Sequence, residues 1–368
     1  MTLPLITETN VRGLSMRGYL RRIVTTAAAL MPIFLVAPAV ISQQTLPDPQ
    51  NAPTSIHATS TLVTVPTLVR TSTGELVKHL DASQFQLLDN GIVQKVLVED
   101  TQNQPVALVI IMQTGGSAAH QFQSYRYLPY QLGSIVGSST HEITFITFDS
   151  RIEEVWHFPV RSDGVAYALT HQRAGDQGAA IMDAVDDGVQ LLQQEPGSFR
   201  RVVLLISQSQ DDGSRISSED FVRHLGKGST AVYSITFSSP HAKSKGKTPA
   251  SHRGDSPPKR SPKNPPPNEP DNSSARLNTA LTAMHEDTAA EIALLSGGAQ
   301  VNFTGKLDFD AGLVILASDI WNRYTLGFQP NSQEPGFHTL TIQVKRRRAR
   351  FDVASRTGYW FDPVSTGK

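Results

Sequence analysis

The feature that most constrains the fold is a series of short apolar runs separated by segments with helical spacing. "VALVIIM" (106–112) and "RRVVLLIS" (200–207) contain continuous apolar runs, as expected for strands buried on both faces. "HEITFITFD" and "TAVYSITFS" predict two further strands. One intervening segment carries apolar residues at helical spacing, at Ile181, Val185, Val189 and Leu192. Strands alternating with helices predict an α/β domain over residues 105–322, with a doubly wound, mostly parallel sheet and helices on both faces.

The segments that flank this domain alternate apolar and polar residues, which is typical of strands. In the segment 60–104, "TLVTVPTLVRTSTGELV" predicts a hairpin, and Asn90-Gly91 in "FQLLDNGIVQKVLVED" predicts a second one. The segment 323–361 has the same alternating pattern. Neither flank has enough strands to be stable alone, so we expect the two to pair in a small β-sandwich-like module beside the α/β domain.

One stretch inside the α/β domain lacks the pattern of a folded segment. Residues 239–276 are rich in proline, lysine, serine and asparagine and have almost no large apolar side chains. Such a composition cannot bury enough surface to fold, so we predict a disordered insertion. After it, "LNTALTAMHEDTAAEIALL" predicts one helix, which Gly297-Gly298 ends.

The N-terminus predicts export. Arginines precede an apolar run that contains Pro32 and Pro38, which indicates a signal peptide over residues 1–42, followed by a proline-rich linker over 43–59. The alternative is an uncleaved membrane anchor, because the run is nearly long enough to span a bilayer. Contact with a membrane is expected only in that case. With either outcome the chain is expected to work outside the cytoplasm, as a periplasmic, cell-surface or secreted protein.

Composition excludes several classes of function. The chain has no cysteine, which excludes disulfides, thiolate zinc sites and a cysteine nucleophile. Its formal net charge is zero, so no global charge favours nucleic acid as a partner. The basic run "KRRRAR" (345–350) is consistent with a solvated strand edge that resists association, or with a patch that binds polyanions.

The order of the elements resembles that of the von Willebrand factor A (VWFA, or VWA) domain, and especially that of acidobacterial-type VWFA-related exported proteins. "LDASQFQLLDNGIVQKVLVED" is similar to the leader segment of the family, and "LVIIMQTGGSA" to its first sheet strand and metal loop. "GAAIMDAVDDGVQLL", "RRVVLLISQSQDDGSRIS" and "IWNRYTLGFQPN" follow in the family's order, and "FDVASRTGYW" is similar to its closing strand. The resemblance implies adhesion or protein binding rather than catalysis.

The resemblance also implies a metal-binding motif that is degenerate in this chain. In the family, three loops supply Asp-x-Ser-x-Ser, a threonine and an aspartate to a magnesium ion. The corresponding residues are, in order, Gln113, Gly115, Ser117, Ala179 and Gln208. Four of these five positions differ from the family, and both carboxylates are lost. Because magnesium prefers oxygen ligands that include a carboxylate, we expect no metal and no other cofactor to bind there.

Other side chains near these positions suggest two further hypotheses. Asp176, Asp211 and Asp212 could return carboxylates to the site, although each is also typical of a solvated turn. Gln113 and Gln208 could bridge the loops in place of the ion, because an amide both donates and accepts hydrogen bonds. We expect the Ser117 hydroxyl to bond to the backbone of its turn.

The sequence predicts a binding protein rather than an enzyme. It contains no Gly-x-Ser-x-Gly, His-Glu-x-x-His or phosphate-loop motif. We therefore expect a metal-independent module for protein interaction or adhesion, with a protein partner bound at the rim formed by the five degenerate positions. The alternatives are a structural part of an envelope assembly, with contacts through the β segments, and a polyanion binder that uses residues 345–350.

Overall fold

The structure is a computed structural model that describes residues 62–99, 104–137, 143–159, 163–237, 273–345 and 350–362. The predicted signal segment and linker lie outside the described residues. So do most of the predicted insertion and most of the basic run at 345–350. None of the helices within these ranges is both long enough and apolar enough to cross a membrane.

The described residues form strands and helices that are numbered here in chain order. The strands are β1 (Val63–Thr71), β2 (Phe85–Asp89), β3 (Ile92–Gln94), β4 (Leu97–Glu99), β5 (Val106–Gln113), β6 (Ile143–Phe148), β7 (Ile152–Phe158), β8 (Arg200–Gln208), β9 (Ala231–Phe237), β10 (Ala299–Phe303), β11 (Tyr324–Phe328), β12 (Gly336–Val344), β13 (Phe351–Ser355) and β14 (Gly358–Phe361). The helices are α1 (Leu128–Val136), α2 (Asp163–Thr170), α3 (Ile181–Gln193), α4 (Ser218–Lys227), α5 (Ser273–Glu286), α6 (Thr288–Ser296) and α7 (Lys306–Trp321).

The central sheet confirms the predicted α/β class. Among the described residues it has six strands in the order β10-β9-β8-β5-β6-β7, all parallel except β7, which is antiparallel to β6 at one edge. All residues of β5 are buried. Its alternate side chains enter two separate cores: Leu108 and Ile110 lie in one, and Val109 and Ile111 in the other. This alternation is the geometry of a strand covered on both faces.

Helices cover both faces of this sheet. Apolar residues of α1, α2 and α7 fill the first core, and those of α3, α4, α5 and α6 fill the second. The single helix predicted before Gly297 is in fact two helices, α5 and α6. They are separated at Asp287, whose side chain accepts a hydrogen bond from Ala290 N–H at 3.0 Å and caps α6. Gly297, with φ of 80°, ends α6 in the left-handed conformation.

The two flanking segments pair with each other, as predicted. One sheet of the sandwich has the order β13-β1-β11-β4, in which strands of the two flanks alternate. The other has the order β14-β12-β2-β3, in which the two flanks meet where β12 pairs with β2. Apolar side chains of the two sheets meet in a third core that includes Val65, Leu87, Leu326 and Ile342. The antiparallel sheets therefore form a β-sandwich-like module from segments far apart in sequence.

Some local predictions need correction. The second hairpin is present, with Asn90 (φ 48°) and Gly91 (φ 79°) linking β2 to β3. The first is reduced to a short turn, in which Arg70 and Leu76 form one antiparallel bridge and Val77 N–H donates to the Val69 carbonyl at 2.9 Å. The rest of β1 pairs with β11 and β13 instead. Helix α2 was not predicted. Helix α5 begins at Ser273, inside the segment predicted to be disordered, so residues 273–276 are helical.

Arg356 connects the sandwich to the α/β domain. Arg356 is 4% exposed, and its Nε donates a hydrogen bond to the Gly358 carbonyl at 2.8 Å. Its terminal nitrogens donate to the carbonyls of Gly228 and Gly226 at 2.7 Å each. These two carbonyls lie at the C-terminal end of α4, where the helix dipole favours a cation. Burial lowers the pKa of Arg356 to about 10, so the group still carries its charge at neutral pH.

Replacing Arg356 tests this connection. Arg356→Met leaves three buried carbonyl groups without their charged donor, so we expect the free energy of unfolding to fall by about 3–5 kcal/mol. The exposed Arg350→Met is the matched control and should change it by less than about 0.5 kcal/mol. Urea unfolding measures both values, and equal midpoints for the two variants would contradict the assigned role of Arg356.

Glu291 on α6 predicts a pH dependence of stability. Burial raises the pKa of Glu291 to about 7, and the nearby Asp287 adds to this rise. Because the folded-state pKa lies above the unfolded value of 4.5, the stabilisation is complete below about pH 4.5 and is lost as the pH rises through 7. Glu291→Gln should therefore be more stable than the native chain above pH 7, with a difference that shrinks toward pH 4.5.

Thermal unfolding across this pH range measures the effect of Glu291. The exposed Glu154→Gln is the control, and its stability curve should run parallel to that of the native chain. A Glu291→Gln curve that also runs parallel at every pH would show that Glu291 does not titrate in this range.

Candidate functional site

Three loops meet at the carboxyl edge of the central sheet, which is where open α/β sheets bind ligands. The first follows β5, the second connects α2 to α3, and the third follows β8. Backbone hydrogen bonds join them directly. Gly116 N–H donates to the Asp176 carbonyl at 2.7 Å, and Ala179 and Asp212 exchange two bonds of 2.8 Å. Of the five positions singled out from the sequence, Gly115, Ser117 and Ala179 lie on these loops, and Gln113 and Gln208 are the last residues of β5 and β8.

Gln113 and Gln208 are in contact, as hypothesised from the sequence. Gln113 is completely buried, and its Oε1 accepts a hydrogen bond from Gln208 N–H at 2.8 Å. Its Nε2 lies 3.0 Å from the Gly115 carbonyl oxygen and 3.4 Å from Gln208 Oε1. Gln208 Nε2 in turn donates to the Gln210 carbonyl at 2.8 Å. One buried amide thus joins the first loop to the third.

There is no room for a side chain at Gly115. A Cβ atom on Gly115 would lie 2.2 Å from the Gly178 carbonyl oxygen and 2.9 Å from Asp149 Cβ. A Cβ atom on Gly175 would lie 2.8 Å from Asp149 Cβ, and one on Gly178 would lie 2.5 Å from Ser150 Cβ. The second loop therefore packs against the first through glycine backbone, in the space that a side chain at position 115 would need.

Ser117 differs from its expected role. Its Oγ is buried and has no hydrogen-bond partner among the described residues, so the predicted bond to the turn backbone is absent. The residue precedes a short 3-10 turn at Ala118–Gln121 without capping it through its side chain. A serine nucleophile needs a base within hydrogen-bond reach, and this hydroxyl has none in the described structure.

Two of the three aspartates that could return carboxylates to the site use their side chains for hydrogen bonds within the loops, and the third contributes its backbone. Asp176 accepts hydrogen bonds from Ser150 N–H (3.1 Å), the Ser150 hydroxyl and Gly178 N–H (2.8 Å), and the bond from the Ser150 hydroxyl is the main reason that its pKa is lowered. Asp211 accepts from Met182 N–H at 3.0 Å, at the start of α3. Asp212 is exposed and contributes its backbone to the bridge with Ala179.

Burial corrects the predicted contact surface. Gln113, Gly115 and Ala179 are buried, and Ser117 and Gln208 are partly buried, so most of these positions lie beneath the surface that a partner could reach. The exposed side chains of the same loops belong to other residues. We call them the rim surface, which consists of His120, Asp176, Gln177, Gln210 and Asp212.

Further polar residues that the sequence did not single out lie among these loops. Asp149 directly follows β6 and is 6% exposed; its Oδ2 accepts from Asp176 N–H at 3.1 Å, and its backbone carbonyl accepts from Ala180 N–H at 2.7 Å. Thr114 donates to Glu153 Oε2 at 2.6 Å. Burial raises the pKa of Glu153, although the bond from Thr114 opposes the rise. An aspartate directly after a predicted strand was a usable signal, whereas Glu153 comes close only through the turn into β7.

The residues present do not match the requirements of a divalent cation at the family's position. Magnesium needs several oxygen ligands, and the five positions offer one free hydroxyl, on Ser117. Gln113 places its amide nitrogen, a donor, among the loops. In the described part of the chain, no group of three or more histidine, aspartate or glutamate side chains is arranged to hold a metal ion.

No protein-family model and no curated protein matches the chain. Among solved structures, an aerotolerance-related membrane protein from Bacteroides fragilis is 12% identical, with a TM-score of 0.35, over 58% of this chain and 98% of that one. The pilus adhesin SpaC from Lactobacillus rhamnosus GG is 9% identical, with a TM-score of 0.37, over 80% of this chain and 47% of that one. The SpRpn10 VWA domain is 13% identical, with a TM-score of 0.29, over 38% and 79%. At these scores the similarities carry no argument, and the fold class rests on the sheet order of the chain itself.

The contact between Gln113 and Gln208 predicts a difference between two alanine variants. Gln113→Ala leaves the Gln208 N–H without an acceptor and opens a buried cavity, so we expect a loss of about 2–4 kcal/mol in the free energy of unfolding. Gln208→Ala keeps that backbone bond and removes a partly exposed side chain, so about 1 kcal/mol is expected. Thermal unfolding compares the two variants. Equal stability of Gln113→Ala and the native chain would show that the amide does not hold the loops.

Proposed function

We propose that the chain is an exported module of VWA-like fold for protein interaction or adhesion, and that it binds its partner without a metal ion. The observation that carries the proposal is the 2.8 Å hydrogen bond from Gln208 N–H to the buried Oε1 of Gln113. This amide joins two loops that an ion would otherwise hold through carboxylates. The loop edge is therefore shaped before any ligand arrives, which lowers the entropic cost of binding.

The chemistry of the rim surface supports binding rather than catalysis. It presents carboxylate and amide side chains, from Asp176, Gln177, Gln210 and Asp212, on loops that the sheet holds in place. Such groups form hydrogen bonds and ion pairs with a protein partner. Catalysis would need a nucleophile paired with a base, and the Ser117 hydroxyl lacks such a partner in the described residues.

Export is supported by the N-terminal sequence. Arg17, Arg21 and Arg22 precede an apolar run with a small-residue exit, which is the pattern of a secretory signal. A module exposed outside the cytoplasm meets partners in the envelope or on other cells. This location agrees with an adhesive or assembly role.

A structural role in an envelope assembly is the second candidate, and one observation favours it. Strand β4 lies at one edge of the first sandwich sheet, and strand β3 at one edge of the second. They carry exposed apolar side chains: Ile92 and Val93 are each 53% exposed, and Leu97 is 51% exposed. An open strand edge with apolar side chains can pair with a strand of another protein.

Two double variants separate these candidates. Gln177→Arg with Asp212→Arg changes the rim surface, and Ile92→Arg with Leu97→Arg changes the sandwich edges. All four residues are exposed, so both variants should fold. The chain from residue 43 onward is immobilised, and envelope proteins of the producing organism are captured with magnesium or with a chelator. We expect the rim variant to capture at least about tenfold less partner, the edge variant to capture as much as the native chain, and the chelator to have no effect.

Two other outcomes would each contradict one part of the proposal. Loss of capture in the edge variant alone would overturn the rim proposal in favour of assembly through the β segments. Loss of capture with the chelator, restored by magnesium, would overturn metal independence.

A further inference from the structure

A buried cluster of polar side chains lies where the two flanks meet in the second sandwich sheet. It consists of Asp89 on β2, His338 on β12 and Tyr359 on β14, and each of these residues is only 2% exposed. Asp89 belongs to the N-terminal flank, and the other two belong to the C-terminal flank. In this sheet the flanks are joined by the pairing of β12 with β2, so the cluster lies at that junction.

Both ring nitrogens of His338 face acceptor atoms. Nε2 lies 2.8 Å from the Glu334 carbonyl oxygen, and Nδ1 lies 2.9 Å from Asp89 Oδ1. A carbonyl oxygen has no hydrogen to donate, so Nε2 carries a proton. The Tyr359 hydroxyl donates to Asp89 Oδ2 at 3.0 Å and lies 3.1 Å from Nδ1. Both oxygens of the Asp89 carboxylate are therefore engaged within the cluster.

These contacts need one proton more than a neutral imidazole and an ionised carboxylate possess. A neutral ring protonated at Nε2 would direct its Nδ1 lone pair at Asp89 Oδ1. A neutral ring protonated at Nδ1 would direct its Nε2 lone pair at the Glu334 carbonyl oxygen. Either tautomer leaves two acceptors face to face in a buried site, which costs free energy. One additional proton lets every contact become a hydrogen bond, and it resides on Nδ1 because imidazole is a stronger base than carboxylate.

The other ionisable groups near the ring leave this requirement in place. Tyr359 uses its one hydroxyl hydrogen on Asp89. Burial and the charge of Asp89 both raise the pKa of Tyr359, so the phenol stays protonated. Arg356 is the cation that acts on Tyr359, and its own N–H groups bond to backbone carbonyls. The side chain of Glu334 is exposed, although its backbone carbonyl faces the ring.

We propose that the two flanks are joined by a proton-dependent clasp, in which His338 holds a second ring proton against Asp89 at neutral pH. In the unfolded chain histidine loses that proton near about pH 6.5, whereas aspartate is already ionised. Folding above about pH 6.5 therefore takes up one proton. The clasp contributes stability that is complete below about pH 6.5 and is lost as the pH rises, until the folded cluster itself releases the proton.

The release of that proton gives the sandwich a response to alkaline pH. The Asp89 carboxylate then faces a lone pair of His338, and the pairing of β2 with β12 weakens. This response is independent of the rim surface and of the partner proposed to bind there.

Asp89→Asn tests the clasp. Asparagine keeps the shape of the side chain, and it can donate to His338 Nδ1 and accept from Tyr359, so a neutral imidazole satisfies the cluster. Urea unfolding of the chain from residue 43 onward is measured between about pH 6 and about pH 9. We expect the unfolding equilibrium constant of the native chain, divided by that of the variant, to rise about tenfold per pH unit above about pH 6.5. Taking this ratio cancels the titration of Glu291, which both chains share.

A matched control and a second measurement complete the test. The exposed Asp163→Asn should give a ratio that does not change with pH. NMR of the chain with 15N-labelled histidine reports the ring directly, so it does not require that Asp89→Asn folds. The signal of His338 is the one missing from His338→Gln, and at about pH 7.5 we expect it to show both ring nitrogens protonated. A neutral His338 ring at that pH, or a native-to-Asp89→Asn ratio that is constant with pH, would overturn the proposal.

Discussion

Burial of β5 on both faces is the constraint on which the rest of the structure depends. Every residue of this strand is buried, and its alternate side chains enter two different cores. Helices must therefore cover both faces, and each parallel neighbour must return through a crossover. This arrangement places the end of β5 at the carboxyl edge of the sheet, next to the end of β8. Gln113 and Gln208 meet there because their strands are neighbours.

At this edge a neutral amide joins the first loop to the third. Carboxylates brought together repel one another unless a cation lies between them, so a metal site is held together by its ion. The Gln113 amide needs no ion, because it accepts from Gln208 N–H and donates within the same cluster. The close approach of Gly115 to Gly178 fits the same arrangement, since the second loop packs where a serine would stand.

Charged side chains help to attach the sandwich to the α/β domain, among them the ion pairs Arg70–Asp319 and Lys227–Asp362. Arg356 donates to carbonyls at the end of α4. Arg200, Arg201 and Arg323 line a cleft between the start of β8 and strands β1 and β11. Arg356 has three carbonyl acceptors within 2.8 Å, whereas Arg201 keeps a buried Nε without one. The first arrangement is complete within the described chain. In the second, the Arg201 Nε has no acceptor among the described residues.

The sequence by itself determined the α/β class, the parallel strands, the Asn90-Gly91 hairpin and the pairing of the two flanks. These features follow from apolar periodicity and turn chemistry, which are local. The resemblance to the VWA family also suggested Gln113 and Gln208 as partners, because it placed both at one metal site. Only the tertiary structure decided that Gln113 is buried rather than exposed on a rim, that Asp176 bonds to Ser150, and that Arg201 and Thr325 face one cleft. Burial and contact depend on which distant segments pack together, and the spacing of residues along the chain does not encode that information.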